Sequence, residues 1–342
     1  MNLKSLPKLE LLQALRAIAA LAVVFFHTGY QPGYGAYGVS IFFVLSGVIM
    51  AMLFEAGESP GQFLQRRLIR IVPLYWCMTS LAMAVTWLAP ATRTSGNVGG
   101  IREYIFSISF IPFRATDGAI VPVLGPGWTI NYEIAFYVTC VIGLFVSRRR
   151  PLIATALLVS LWWYVARSFS TTAGEFYGQS VVLYFVAGMG VWQLSTVTSI
   201  RIQSRWSLLL ILTACAGLAY LEFLGNQHQG SNLNEIIKAV LAVAAVMAGL
   251  FMEPAFQKIS NMWRAVLVEV GDASYAIYLS HIFVIHLLAV GARKLEINSA
   301  SIGLAVVSVI ASTLVGTLIH RTFDGPIQKK LRNFFRPPSH SR

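Results

Sequence analysis

The chain has 342 residues, of which 56% are hydrophobic and 12% charged, and its mean hydropathy is +0.66. This composition is too apolar for a soluble domain of this size and indicates a polytopic membrane protein. The formal net charge of +12 comes from short basic clusters between apolar segments, without a nucleic-acid motif, so we expect no nucleic-acid partner. The three cysteines lie in apolar segments without metal-ligand spacing, which argues against a disulfide framework or a zinc site.

Ten apolar windows approach the roughly 20 residues that a helix needs to cross the hydrocarbon core. They span approximately 11–29, 36–54, 71–89, 127–146, 151–168, 178–194, 207–224, 234–251, 274–292 and 301–320. We therefore predict an all-α bundle of about ten transmembrane helices, beginning with an uncleaved first span. An even number of spans places both termini on the same side of the membrane.

The basic residues indicate which side that is, because Lys and Arg gather in cytoplasmic loops. With a cytoplasmic N-terminus, eighteen of them fall in inner segments and six in outer segments. The outer six are Arg93, Arg102, Arg114, Arg167, Arg293 and Lys294. This asymmetry predicts that both termini are cytoplasmic.

The longest connection between spans, residues 90–126, carries an apolar run over 104–113. We expect this run to form a short interfacial helix or a re-entrant segment on the outer face. We see no internal repeat. The chain is expected to be a single membrane domain over 1–342, with a short leader over 1–10 and a polar C-terminal tail over 321–342.

The first window carries two ionisable side chains, Arg16 and His27. On a helix, eleven residues separate them by about 16 Å along the axis and by roughly 20° around it, so they share one face. Ionisable residues within membrane spans are costly and are functional candidates by default. We therefore rank Arg16, near the cytoplasmic end, and His27, near the outer end, first among the site residues.

A carboxylate also lies within a span, at Glu133 in GPGWTINYEIAFY. Its burial costs roughly 2.5 to 3.5 kcal/mol unless it is paired or protonated. We expect it to partner one of the buried bases. The same segment supplies Trp128, Asn131 and Tyr137 as further polar or amphipathic side chains.

Other polar residues have both structural and functional interpretations. His281 and His286 would serve equally well as interhelical hydrogen-bond donors. We place Arg66 and Arg67 in a cytoplasmic loop, where they would orient the chain or bind lipid phosphate, whereas Arg70 begins a span and would face a cavity.

Glycines recur in the segment GVSIFFVLSG, which also holds Ser40 and Ser46, and in AGMG over 187–190. They predict close helix packing rather than phosphate binding. No nucleotide-binding signature is present in the sequence.

Five blocks, ordered along nearly the whole chain, resemble the membrane-bound acyltransferase 3 family of bacterial inner-membrane O-acyltransferases. They are LRAIAALAVVFFH, with a basic residue and a histidine separated by a ten-residue gap, then GVSIFFVLSG, RRLIRIVPLYW, GPGWTINYEIAFY and SYAIYLSH. The short chain most resembles the small members linked to exopolysaccharide production. It departs from the family pattern at Ser40, where many relatives are acidic, and at Asp324, where glutamate is common.

The resemblance implies transfer of an acyl group, commonly acetyl, from a cytoplasmic acyl-CoA to a hydroxyl of a polysaccharide or its lipid-linked precursor. No permanently bound cofactor is implied; acetyl-CoA is the donor substrate. The donor-binding residues would be the arginines, whose forked donors suit phosphate, and a nearby tyrosine: Arg66, Arg67, Arg70 and Tyr75. A homo-oligomer is possible.

The resemblance also assigns roles within the bundle. Arg16 would meet the donor, and His27, since imidazole has an unperturbed pKa of about 6.5, would take the acceptor proton or carry the acyl group. Glu133 would orient or charge-balance His27. Further candidates are Ser46, Trp128, Asn131 and His281.

Two other classes also suit the sequence. Buried Arg, His and Glu in ten spans fit a proton-coupled transporter, although no repeat symmetry is visible. A non-catalytic assembly subunit would tolerate substitution of Arg16 or His27. Within the enzyme class, the acceptor would alternatively be a lipid, peptidoglycan or a small metabolite.

Overall fold

The computed structural model describes residues 9–30, 37–88, 99–197, 203–225, 232–298 and 301–335, and its regular elements over these ranges are all helices. They are α1 (Glu10–His27), α2 (Tyr37–Glu55), α3 (Pro60–Leu88), α4 (Ile101–Ile108), α5 (Trp128–Val146), α6 (Pro151–Ala166), α7 (Thr172–Tyr177), α8 (Leu183–Val197), α9 (Ser204–Gly225), α10 (Asn232–Phe256), α11 (Asn261–Asp272), α12 (Ser274–Lys294), α13 (Ile302–Ile319) and α14 (Gly325–Phe334). The start of the predicted leader and the end of the predicted tail lie outside the described residues.

Within these ranges, nine helices are long and apolar enough to cross a membrane, the last being α13 continued into α14. The remaining predicted window corresponds to α6, which is apolar but has only 16 residues. The prediction of an all-α polytopic membrane protein is therefore confirmed, and the described helices match the predicted windows closely except at α3 and beyond α13.

The loop predicted for Arg66 and Arg67 is wrong, because α3 begins at Pro60, about three turns before the predicted span. A hydropathy window excludes these turns since they carry three arginines, but the backbone remains helical through them and through Pro73. The arginines consequently project from a rigid helix.

Helix α1 lies among the C-terminal helices of the bundle. α1 packs against α2 and also against α10, α11, α12 and α13. Its N-terminus is capped by α10, where both carboxylate oxygens of Glu253 accept hydrogen bonds, at 2.9 Å from the Glu10 amide and 2.8 Å from the Leu11 amide. A carboxylate at this position satisfies amides that have no partner within the helix and also complements the helix dipole.

α11 and α12 follow α1 along most of its length. Arg264 of α11 pairs with Glu10 at 3.2 Å, and a Cβ atom added at Gly271 would fall 2.1 Å from the Gln13 carbonyl oxygen. Further along, Ala20 and Val24 pack with Ile277 of α12. This alignment brings His281 of α12 to the C-terminal end of α1.

Glycines allow α2 and α8 to approach backbone to backbone, as predicted. A Cβ atom at Gly47 would lie 2.1 Å from the Phe185 carbonyl oxygen, and one at Gly188 would lie 2.0 Å from that of Val44. Neither position has room for a larger residue.

The connection between α3 and α5 contains the short helix expected there, α4, which packs against α3. The Ser107 hydroxyl accepts a hydrogen bond from the Val123 amide at 2.9 Å in a buried position. Phe113 and Leu124 are also buried. The segment is therefore anchored in the protein interior near both of its ends before it reaches α5.

Candidate active site

A cavity of about 1010 Å³ lies among α1, α2, α3, α5, α12 and α14. This is the size of a pocket for a cofactor-sized ligand. Its solvent-exposed lining residues include Gln62 and Arg66 at the start of α3, Asp272 at the end of α11, and Lys329 and Arg332 on α14. These helix ends form the opening of the cavity.

The cavity is cationic. Its lining contains six basic side chains, Arg16, Arg66, Arg67, Arg70, Lys329 and Arg332. Three carboxylates oppose them, Glu58, Glu133 and Asp272. The excess of positive charge, together with apolar lining from α2 such as Leu45 and Ile49, favours an anionic ligand with an apolar or thin end.

Glu133 accepts hydrogen bonds from two hydroxyl groups. Ser46 donates to its Oε1 at 3.4 Å, and Tyr137, one turn along α5, donates to the same oxygen. The expectation of a direct basic partner is wrong for the described residues, since Arg16 and Arg67 interact with Glu133 only through longer-range electrostatics. Hydroxyl donors stabilise the carboxylate and leave the arginine forks open.

Two arginines in the cavity have unused hydrogen-bonding capacity. The Nε atoms of Arg16 and Arg67 are buried and have no partner in the structure. Arg66 differs, because it forms an ion pair with the buried Glu58. A buried donor without a partner is costly, so these two guanidinium groups are poised for an acceptor from a ligand.

His27 lies at the last residue of α1, outside the cavity lining. Its ring contacts the ring of His281 on α12, with 4.8 Å between centroids and 62° between planes. The structure therefore places His281, and not Glu133, beside His27. The Nε2 atom of His281 is buried and has no hydrogen-bond partner.

Phe42 and Tyr278 line the cavity on the side of the histidines, with their ring centroids 6.0 Å apart. Tyr278 is one turn before His281, and its hydroxyl donates to the Pro126 carbonyl and bonds to the Thr129 hydroxyl, each at 2.9 Å. Tyr278 also packs toward His281, with 6.0 Å between the ring centroids, so it links the cavity lining to the histidine pair.

Several predicted residues lie outside the cavity lining. Tyr75 is buried and its hydroxyl donates to the Ser107 carbonyl at 3.1 Å, so the structure gives it an anchoring contact and not the predicted position in the donor site. Trp128 packs against Phe43, and Asn131 is buried with an unpartnered Oδ1.

Three more predicted positions also lie outside the cavity lining. Ser40 lies near Tyr184 on α8, whose hydroxyl donates to the Glu235 carbonyl oxygen at 3.5 Å. Asp324 is buried and bonded to His320 and Gln328, and the Nε2 atom of His286 is buried without a partner.

The cavity also contains basic residues that sequence reasoning did not select. Lys329 and Arg332 were assigned to a polar tail, but residues His320–Asp324 form a π-helical turn and Gly325–Phe334 form α14. A signal was available: Pro326 marks a helix start, and Ile327, Leu331 and Phe334 recur at helical spacing.

The fold and the site together define a multi-pass helical membrane protein with a cationic cavity and a histidine pair beyond it. The chain belongs to the acyltransferase 3 family, whose acyltransferase domain matches residues 10–321. It is therefore a membrane acyltransferase, and the enzyme class is preferred over the transporter and the assembly subunit.

The relatives include proteins that match nearly full length. The exopolysaccharide production protein ExoZ of Rhizobium meliloti strain 1021 is 30% identical over 89% of this chain and 93% of its own length. The acyltransferase MdmB of Streptomyces mycarofaciens is 25% identical over 95% of this chain and 92% of its own. The peptidoglycan O-acetyltransferase OatA of Listeria monocytogenes is 22% identical over 95% of this chain and 57% of its own. No solved structure matches the chain significantly.

Proposed function

We propose that this protein transfers an acetyl group from cytoplasmic acetyl-CoA to a hydroxyl of an exported polysaccharide or its lipid-linked precursor, at the bacterial inner membrane. The observation that carries this proposal is the cationic cavity ending beside a histidine pair. The similarity to an exopolysaccharide production protein over nearly the whole chain supports the acceptor class.

The cavity suits the donor chemically. Coenzyme A has a phosphorylated nucleotide end and a thin pantetheine arm, and the cavity combines exposed basic side chains with apolar lining. Arg16, Arg67 and Arg70 would bind phosphate oxygens, since guanidinium groups present several donors in a fixed fork. The asymmetric distribution of Lys and Arg in the sequence supports a cytoplasmic location for this opening.

The contacts of His27 indicate which ring nitrogen carries the hydrogen in the neutral form. Its Nδ1 lies 2.9 Å from the Val23 carbonyl oxygen, which can only accept, so Nδ1 carries the hydrogen. In the neutral ring, Nε2 then has a free lone pair. His27 Nε2 is the base that we assign to the reaction.

In the general-base route, Nε2 removes the proton of the acceptor hydroxyl as its oxygen attacks the thioester carbonyl carbon. The carbon–sulfur bond then breaks, and the leaving thiolate takes the proton back from the imidazolium. In the acyl-histidine route, Nε2 itself attacks the carbonyl carbon, the carbon–sulfur bond breaks, and CoA leaves as the thiolate. The acceptor hydroxyl then attacks the acyl-imidazolium, which releases the neutral imidazole, and the hydroxyl proton passes to the thiolate. In either route, we expect the thioester to approach the histidines past Tyr278, which lines the cavity and has its ring centroid 6.0 Å from that of His281.

The proposal is tested with purified protein in liposomes, radiolabelled acetyl-CoA, and a mixed pool of glycan and lipid-linked sugar acceptors. His27→Ala should abolish labelling of sugar, and His286→Ala, on the same helix as His281, serves as the matched control. Equal labelling by wild type and His27→Ala would refute the assigned base. An absence of label with wild type in every acceptor would refute the donor or the acceptor class.

The two routes differ in a second measurement. If His27 carries the acyl group, wild-type protein incubated with labelled donor and no acceptor will itself retain label, and His27→Ala will not. Protein that stays unlabelled while sugar is acetylated supports the general-base route.

A further inference from the structure

We propose that α14 completes the donor site, with Lys329 and Arg332 binding the 3′-phosphate of coenzyme A. This inference rests on the proposed function, and it assigns a ligand-binding role to a helix that lies beyond the last apolar span. Gly325, Gln328, Lys329 and Arg332 all line the cavity. Their spacing of three to four residues places them on one face of the helix.

A ladder of side-chain hydrogen bonds holds Arg332 in position. Arg332 Nη2 donates to Gln328 Oε1 at 2.7 Å, and Gln328 Nε2 donates to Asp324 Oδ1 at 2.8 Å. The other oxygen of Asp324 accepts from His320 Nδ1 at 3.0 Å. Because Asp324 and Gln328 are buried, this ladder begins in the protein interior and ends at a cation on the cavity.

The ladder leaves most of the Arg332 guanidinium free. One of its terminal nitrogens bonds to Gln328, and the neutral amide does not cancel its charge. Lys329, one turn before Asn333 on the same face, adds a second cation to the cavity lining. Neither side chain forms an ion pair with any residue that the structure describes, so the pair presents two positive charges to a ligand.

The basic side chains that line the cavity differ in their exposure to solvent. Lys329 and Arg332 are exposed, whereas Arg16 and Arg67 are partly buried and have buried Nε atoms. If the thioester lies deepest, toward Tyr278 and the histidines, the nucleotide end of the donor lies at the exposed cations. A phosphate monoester carries a charge of about −1.5 to −2 near neutral pH, which matches two basic side chains.

A lipid headgroup could offer similar phosphate chemistry to the same residues. We assign the donor phosphate because Lys329 and Arg332 line the same cavity as Arg16 and Glu133. α14 also packs against α3, which carries the other arginines of the site. The experiment separates the two sources.

The test is equilibrium binding of CoA and of 3′-dephospho-CoA to purified full-length protein, which needs no acceptor. The Lys329→Ala/Arg332→Ala double variant should bind CoA about tenfold or more weakly, since charge-assisted hydrogen bonds are lost. Its affinity for 3′-dephospho-CoA should change little, so the preference for CoA over 3′-dephospho-CoA should disappear. Lys330→Ala is the matched control, because Lys330 is exposed on α14 but does not line the cavity.

Three results would overturn the inference. Equal weakening of both ligands would give α14 a structural role only. Unchanged CoA binding, with loss of binding to a short-chain anionic phospholipid added to the protein in detergent, would assign the pair to a headgroup. A wild-type protein that binds neither nucleotide would refute the proposed donor itself, which is a separate failure. Arg332→Lys, which keeps the charge, should retain part of the CoA preference and excludes misfolding as the cause.

Discussion

His27 and His281 face each other from α1 and α12, with their ring centroids 4.8 Å apart. Each ring has its Nδ1 beside a backbone carbonyl oxygen, that of Val23 for His27 and that of Tyr278 for His281. Both Nε2 atoms therefore have free lone pairs in the neutral rings. We expect His281, packed against the His27 ring, to orient the base.

We expect His281→Gln to lower the turnover number about tenfold or more while leaving the KM for acetyl-CoA unchanged. The reason is that His281 contacts His27 but does not line the cavity. Removal of a general base itself typically lowers the rate by about a hundredfold or more. Removal of a residue that only supports the base should therefore lower the rate less. Steady-state kinetics of sugar acetylation measures both parameters. His286→Gln is the control, and an equal loss in both variants would contradict the pairing.

Arg67→Gln should raise the KM for acetyl-CoA about tenfold, and Arg66→Gln should raise it less. Arg67 lines the cavity and its Nε has no partner among the described residues, whereas the charge of Arg66 is already balanced by Glu58. Charge-assisted hydrogen bonds contribute more than neutral ones, which sets the size of the effect. The KM of each variant is measured at two salt concentrations. A larger effect at Arg66 than at Arg67 would contradict this prediction.

Tyr75→Phe should leave donor binding unchanged and reduce the free energy of unfolding by about 1 kcal/mol, because it removes a single hydrogen bond. In the structure, the Tyr75 hydroxyl bonds to the Ser107 carbonyl and its ring stacks on Phe110. CoA titration and denaturant unfolding in detergent provide the two readouts. Tyr104→Phe, which loses an exposed hydrogen bond to Ser80, is the control for stability. A raised Kd for CoA with unchanged stability would return Tyr75 to the donor site.

Gly188→Ala should destabilise the protein by several kcal/mol, whereas Gly190→Ala on the same helix should be tolerated. A Cβ atom at 188 would meet the Val44 carbonyl oxygen at 2.0 Å, and one at 190 meets no atom within 4 Å. Additional side-chain volume costs about 1–3 kcal/mol in a core that can relax. The cost at position 188 should be at the upper end or above, because the contacting atom belongs to the backbone, which relaxes least. The thermal unfolding midpoints of the two variants test this comparison. Equal midpoints would show that α2 and α8 can separate.

Hydropathy was sufficient to locate most helices. The window at 11–29 became α1 over Glu10–His27, and the window at 274–292 became α12 over Ser274–Lys294. Hydropathy did not predict the helical turns that carry charged residues, such as those around Arg66 in α3 and Lys329 in α14. The mean hydropathy of a window falls where it includes charged side chains, although the helix continues beyond the apolar segment. Helix propensity and capping, which act locally, would have been better guides there.

The composition of the site depends on contacts that no local pattern encodes. Arg16 and His27 were predictable because they share one helix, but the position of Lys329 beside the same cavity follows from how α14 folds back on α3. Likewise, the placement of His281 beside His27 follows from the alignment of α12 with α1. Such adjacency is set by packing between helices that are distant in sequence.

The position of α1 among α10, α11, α12 and α13 has a consequence for biogenesis. α1 is synthesised before α10, α11 and α12, which carry its contact residues Glu253, Arg264 and His281. Arg16 and His27 therefore enter the bilayer without these neighbours, and the proposed catalytic centre assembles only after α12 has been made. Nascent chains released early would insert into the membrane but would contain no finished site.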